Sequence, residues 1–215
     1  MSMREVEYAR QLRKPEGITG LNIALRMNKL NALMYAHCFR LFPQKAIELL
    51  EIGPGNAIEA ATLLKERPEI TYTGIDHAPD MVAAGNQQLD KFGKRASYVL
   101  GNAEGLPFPD AQYDVLLSIN TLYFVVEPES VLKEWARVLK PGGMMCIGLR
   151  SKESMENLGL HQHGFCLFEP DYVNCMLKYA GMLVEQTTEI NEPEREVNGQ
   201  AKPMHSFICS GLKAD

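Results

Sequence analysis

Short apolar runs alternate along the chain with longer stretches in which apolar residues recur every three to four positions, a rhythm that predicts strands alternating with helices. Residues 20–42 place Ile23, Met27, Leu30, Met34 and Phe39 at helical spacing, so an amphipathic helix precedes the first strand, with its Met and aromatic stripe as core packing. Residues 45–53 (KAIELLEIG) read as a buried strand, and 57–68 as a helix that Pro68 stops. Then come a strand over 70–76, a helix over 78–93 with Gly93 near its end, and a strand over 96–101. A strand at 113–120, a helix at 128–140 and a strand at 142–149 repeat the pattern. The final third predicts a helix at 169–181 and strands at 182–190 and 205–212. The segment joining those strands, 191–203, is polar and broken by Pro193, Gly199 and Pro203, and reads as a solvated loop.

Apolar strands that alternate with helices call for a mainly parallel sheet covered on both faces. Right-handed crossovers then make a doubly wound α/β sandwich the expected architecture. At 215 residues and 46% hydrophobic, the chain is sized for one globular unit. Residues 1–44 read as an N-terminal helical segment capping the site, and 45–215 as the main domain. A net charge of -5 argues against a broad phosphate-binding surface, so nucleic acid is not an expected partner. Five cysteines without a C-x-x-C pair suit reduced thiols. The opening MSMREVEYARQLRKPEG is charged and has no signal-peptide core, and no apolar run reaches membrane-spanning length. The expectation is a soluble cytoplasmic protein, monomer or homodimer, without a membrane partner.

Candidate chemistry begins at residues 49–60, LLEIGPGNAIEA. Gly53 and Gly55 remove side chains from a tight strand-to-helix turn, so backbone N–H groups can approach a ligand closely. About 20 residues further on, at the tip of the second strand, a nucleoside site expects an acid for the ribose hydroxyls, and Asp76 fills that place. The dinucleotide fingerprint requires a small residue at position 58, where Ile58 is large and β-branched; the small residue, Ala57, falls one position earlier. Neither a P-loop nor a G-x-S-x-G elbow occurs.

Aligned as acid-x-G-x-G-x-small, Glu51 to Ala57 resembles motif I of the class I S-adenosylmethionine-dependent methyltransferases. The resemblance runs on through Asp76, through GNAEGLPFPDAQYDVLLSINTLYFV (101–125) and through VLKEWARVLKPGGMMCIG (131–148), covering about residues 46–150. QLRKPEGITG and RMNKLN are similar to small bacterial methyltransferases of the methyltransferase-11 type. The resemblance implies a Rossmann-like, seven-stranded sheet with its last strand antiparallel, and S-adenosylmethionine as cofactor, leaving S-adenosylhomocysteine as product. It implies that Glu51 orients the turn or the cofactor's amino-acid portion, that Gly53, Pro54 and Gly55 shape its approach, and that Asp76 holds the ribose. His77 and Met81 would flank the adenine, with Asn102 and Ala103 at its edge. Two departures stand out: Ala57 replaces a third glycine and adds a methyl group near the cofactor, and Asn102 replaces an aspartate, so it accepts a hydrogen bond without charge assistance.

Asn120, Thr121 and Tyr123 follow the fourth strand and should face the methyl group and a small-molecule acceptor. Tyr123 reads as a packing or lid residue before a base, since a phenol of pKa about 10 is a poor base at neutral pH. His161 and His163, in HQHGFCLF, are weak candidates for a general base. With Cys166 they fall short of a metal set, and no metal is expected. Arg13 and Lys14 would meet an anionic acceptor only if the N-terminal segment folds over the pocket. The main reading is methyl transfer to an unidentified small molecule. Its rivals are a catalytically silent S-adenosylmethionine-binding or interaction module and, disfavoured by Ile58, an NAD-dependent oxidoreductase.

Overall fold

Period-two burial in the strands builds two cores from one sheet. In β1 (Ile47–Ile52), Leu50 and Ile52 enter the core on one face, and Ile47 and Leu49 the core on the other. The computed structural model describes residues 3–197 and 199–215; Met1, Ser2, Asn198 and the side chains of Met3 and Arg4 lie outside it, so the charged opening of the chain and the 191–203 segment are followed through their remaining residues. The strands β1, β2 (Ile70–Asp76), β3 (Ala96–Leu100), β4 (Tyr113–Ile119), β5 (Leu139–Arg150), β6 (Met182–Val197) and β7 (Gln200–Lys213) form one sheet in the order β3-β2-β1-β4-β5-β7-β6. Pairing from β3 to β5 is parallel, and β7 runs antiparallel to both β5 and β6.

The helices are α1 (Met3–Arg13), α2 (Gly17–Leu41), α3 (Ile58–Glu66), α4 (Pro79–Leu89), α5 (Pro128–Val138), α6 (Lys152–Asn157) and α7 (Pro170–Tyr179). Residues of α2 and α3 pack into one core, and those of α5 and α7 into the other, where Trp135 is fully buried. Pro79, Pro128 and Pro170 open their helices at the first turn, where a missing N–H costs no bond. The helix expected over 78–93 ends at Leu89, because Gly93 takes φ +57° inside a 3-10 turn over Asp90–Arg95.

The largest departure from the sequence reading lies at 191–203. Residues 191–197 and 200–203 are the outer part of a long antiparallel hairpin, with Asn191 opposite His205, Glu192 opposite Met204 and, beyond a bulge, Arg195 opposite Lys202. Pro193 lies within the bulge, where the ladder makes no demand on its missing N–H. Glu192 is buried there, between Arg150 and Arg195. Among the described residues no helix is long and apolar enough to cross a membrane.

Candidate functional site

The chain leaves β1 outward through β2 and β3, then returns to β4 on the other side of β1, so the carboxyl ends of β1 and β4 diverge at a switch in strand order. Gly53, Asp76, Asn120 and Arg150 stand at or just past the ends of β1, β2, β4 and β5, and all four line one cavity of about 520 Å³. Residues of α1 and α2, among them Tyr8, Met27 and Asn31, line it as well.

Gly53 and Gly55 take φ of +72° and +61°, a region that side chains with a Cβ enter at a cost. The Gly53 amide donates to the Ile75 carbonyl at 2.8 Å, which ties the turn to β2. Asp76 closes the same junction: its Oδ2 accepts from the Gly55 amide at 3.2 Å and its Oδ1 from the Ala78 amide at 2.9 Å. Burial pushes the Asp76 carboxyl above its ordinary range, against those bonds and the neighbouring His77. Tyr98 donates to the Gly55 carbonyl at 2.6 Å and holds the turn from the β3 side.

Of the residues singled out from sequence, Gly53, Pro54, Gly55, Asp76, His77, Met81, Asn120, Thr121 and Tyr123 all line the cavity. Glu51 lies beneath it, buried, with its carboxylate accepting from the Tyr35 and Tyr72 hydroxyls at 2.7 and 2.8 Å. Burial outweighs those two bonds and pushes its pKa up to about 7. Tyr35 reaches the cavity wall, so a single hydrogen bond connects Glu51 to that wall.

Asn102 and Ala103 do not line the cavity. Asn102 is exposed and closes an Asx turn, its Oδ1 accepting from the Glu104 amide at 3.1 Å. The Ala103 carbonyl is held by Trp135 Nε1 at 2.9 Å. The Ala57 methyl also departs from expectation. It is buried beside Gly85 of α4 and off the cavity wall, on a residue whose φ is +56°. His161 and His163 stand off the wall too; Leu160 and Phe165 of the same segment line it instead.

Tyr123 is buried, its hydroxyl 3.0 Å from Asn120 Oδ1 and 3.1 Å from the Arg150 carbonyl, and it accepts from the Arg150 amide. Burial pushes the phenol above its ordinary pKa, which suits a structural clamp and not a base. Asn120 itself has φ +55°, a conformation Asn tolerates better than most residues, and donates to Asn31 Oδ1 at 3.1 Å. Arg13 also borders the cavity, donating to the Gly164 carbonyl at 2.8 Å with its guanidinium 5.6 Å from the Phe124 ring centroid.

Several lining residues escaped the sequence reading. Asn28 and Asn31, three apart on α2, present polar groups beside Met27, and Asn28 donates to Asn56 Oδ1 at 2.9 Å. Two amides at that spacing within an apolar stripe were a readable signal. Arg150 and Arg195 carried none, since their meeting depends on the hairpin.

Gly53, Pro54, Gly55, Asp76, His77, Met81 and Asn120, expected to bind a nucleoside, therefore share one concave wall, while Glu51, Asn102 and Ala103 stand off it. The methyltransferase domain family matches residues 50–147. The 27-O-demethylrifamycin SV methyltransferase of Amycolatopsis mediterranei is 32% identical over 102 residues, covering 46% of this chain and 37% of that protein. The demethylmenaquinone methyltransferase of Thermus thermophilus is 31% identical over 134 residues, covering 58% of this chain and 61% of that protein. The matches thus span 37% and 61% of the length of these two relatives. A chain of the complex between the Haloferax volcanii Trm112 methyltransferase activator and its partner methyltransferase has the same fold, with a TM-score of 0.80 at 18% identity over 89% of this chain and 93% of that one. The segment that resembles the methyltransferase domain family contains Asp76 and all of the glycine turn after Leu50, the residues that build one end of the cavity.

Proposed function

We propose that the protein moves a methyl group from S-adenosylmethionine to a small-molecule acceptor bound in the same cavity. The observation that carries this reading is Asp76, 8% exposed at the tip of β2, its Oδ2 bonded to the Gly55 amide on the cavity wall. The donor set suits a nucleoside. A buried carboxylate offers acceptors to ribose hydroxyls, and a turn without side chains at Gly53 and Gly55 admits the rest of the molecule. When bound, the sulfonium supplies an electrophilic methyl group whose carbon–sulfur bond breaks as the bond to the acceptor forms.

The chain's own residues orient and enclose. His77 and Met81 flank the base, while Gly53, Pro54 and Gly55 shape the approach of the amino-acid portion. Glu51 braces that turn from below through Tyr35 and Tyr72. Asn120, fixed by Asn31 and Tyr123, faces the junction of donor and acceptor. Asn102 and Ala103 are given no role at the adenine edge, since neither reaches the wall. The segment 3–41 caps the cavity, with Tyr8, Met27 and Asn31 turned towards it. Holding donor and acceptor in line while water is excluded supplies much of the acceleration such a transfer needs.

Calorimetry with S-adenosylhomocysteine tests the binding half. Wild type should bind, and Asp76→Asn should lose about 10- to 100-fold in affinity, the scale of hydrogen bonds to a charged acceptor. A labelled-methyl screen across metabolite pools tests the transfer half. Absence of binding defeats the whole reading; binding without any labelled product supports the silent module instead.

A further inference from the structure

The cavity has two ends. One is the glycine turn with Asp76, His77 and Met81. The other is apolar and aromatic, walled by Tyr123, Phe124, Leu160 and Phe165, with ring centroids of Phe124 and Phe165 4.9 Å apart. Arg150 and Arg195 line this cavity as well. Arg195 comes from β6, four strands from β1 in the sheet, which separates their strand axes by about 19 Å. It therefore stands on the hairpin side of the cavity, beside Arg150 at the end of β5.

Both guanidinium groups lean on one carboxylate. Glu192 Oε2 is 3.3 Å from Arg150 Nε and 3.1 Å from Arg195 Nη2. The side chains of Arg150, Glu192 and Arg195 are 6%, 3% and 16% exposed, so solvent does little to screen them. Two cations and one anion leave a buried excess of one positive charge. Arg150 spends its Nη2 on the Leu30 carbonyl and Asn31 Oδ1, at 3.0 and 2.9 Å, and is a fixed strut. Among the described residues Arg195 has a single carboxylate bond, which leaves guanidinium donors to spare. Burial and the nearby Arg150 charge both lower its pKa, as expected of a cation short of counter-charge. Glu196 also lines the cavity but is exposed, so its charge is the more strongly screened.

We propose that Arg195, braced by Glu192 and Arg150, reads an anionic group on the methyl acceptor, whose apolar body lies against the Phe124 and Phe165 rings. The acceptor class is therefore a small hydrophobic acid or acidic phenol, and Arg195 is a specificity-determining residue. This rests on the methyltransferase reading only for the word acceptor; the anion site stands on the cavity itself.

The test compares charged probes with uncharged isosteres: 2-naphthoate against 2-naphthamide, and octanoate against octanamide. Binding is measured by calorimetry to the full chain, with and without saturating S-adenosylhomocysteine. For at least one pair, the acid should bind at least about tenfold more tightly than its amide, the scale of a charge-assisted bond to a desolvated guanidinium. Arg195→Gln should abolish that preference while leaving S-adenosylhomocysteine affinity within about twofold, and Arg195→Lys should restore part of it. Equal binding of acid and amide in both pairs, binding of neither pair, or a preference that survives Arg195→Gln overturns the proposal. So does a loss of S-adenosylhomocysteine affinity in a folded Arg195→Gln protein, which would make Arg195 a reader of the cofactor's own carboxylate. Failure of S-adenosylhomocysteine to bind wild type defeats the methyltransferase reading alone, because the acid and amide comparison is also made without it.

Discussion

A Cβ on Gly53 would stand 2.3 Å from Thr121 Oγ1, whereas one on Gly55 would meet nothing within 4 Å. Both residues have positive φ, so both resist substitution, but for reasons that separate folding from binding. Gly53→Ala should cost about 2–4 kcal/mol in urea denaturation, backbone strain added to overpacking. Gly55→Ala should cost about 1 kcal/mol by the same measurement, yet weaken S-adenosylhomocysteine at least about tenfold, because its methyl group projects into open cavity. Equal losses of stability in the two variants would reject this division. Glu51 allows a different experiment at the same scale. Its folded pKa of about 7 lies above the ordinary 4.5, so the native protein holds a proton that the unfolded chain releases. The resulting stabilisation is complete below pH 4.5, fades as pH rises, and is lost above 7, a swing of about 3 kcal/mol. Asp76, also raised by burial, tilts the profile the same way. Glu51→Gln should remove the larger part of the stability difference between pH 5 and pH 8; an unchanged profile would show that Glu51 does not titrate in that range.

Element by element, legibility followed whether structure was set by local pattern or by distant partners. The strands β1, β2 and β4 and the helix α2 announced themselves, because each carries its own apolar period. The outer hairpin did not. Pro193 and the charges of Glu192, Glu194 and Arg195 read as solvent-facing, and only the meeting with Arg150 from β5 makes Glu192 buriable. The same gap hid the hairpin side of the cavity: the place of Asp76 at the tip of β2 was readable from spacing, that of Arg195 only from topology. For Asn102, which a sequence motif placed at a ligand, the structure shows local turn chemistry instead of a place on the cavity wall. Long-range bonds tie the cap down at its α1–α2 corner, among them Arg13 to the Gly164 carbonyl and the Gly17 amide donating to Asp80 Oδ2 at 2.6 Å from the first turn of α4. Asp80→Ala should loosen that corner without disturbing the sheet. Hydrogen exchange should quicken several-fold in residues 9–25 and stay unchanged in β1 and β4; equal quickening throughout would mean that Asp80 supports the global fold.

At the scale of the molecule, the cavity is walled by elements far apart in the chain: the cap of α1 and α2, the turns after β1, β2 and β4, and the hairpin through Arg195. A ligand that fills it binds only the assembled protein, so its affinity must appear as stability. S-adenosylhomocysteine at one hundred times its Kd should add about 2.7 kcal/mol. For a chain of this size that raises the Tm by about 5–10 °C. NADH, whose fingerprint Ile58 breaks, should leave the Tm where it was. The distribution of the effect carries more information than its size. If the segment 3–41 closes over the bound cofactor, exchange should slow most in α1 and the first half of α2. Slowing confined to the turns at Gly53 and Asp76 would keep the cofactor site but remove the cap, and no shift at all with S-adenosylhomocysteine would remove both.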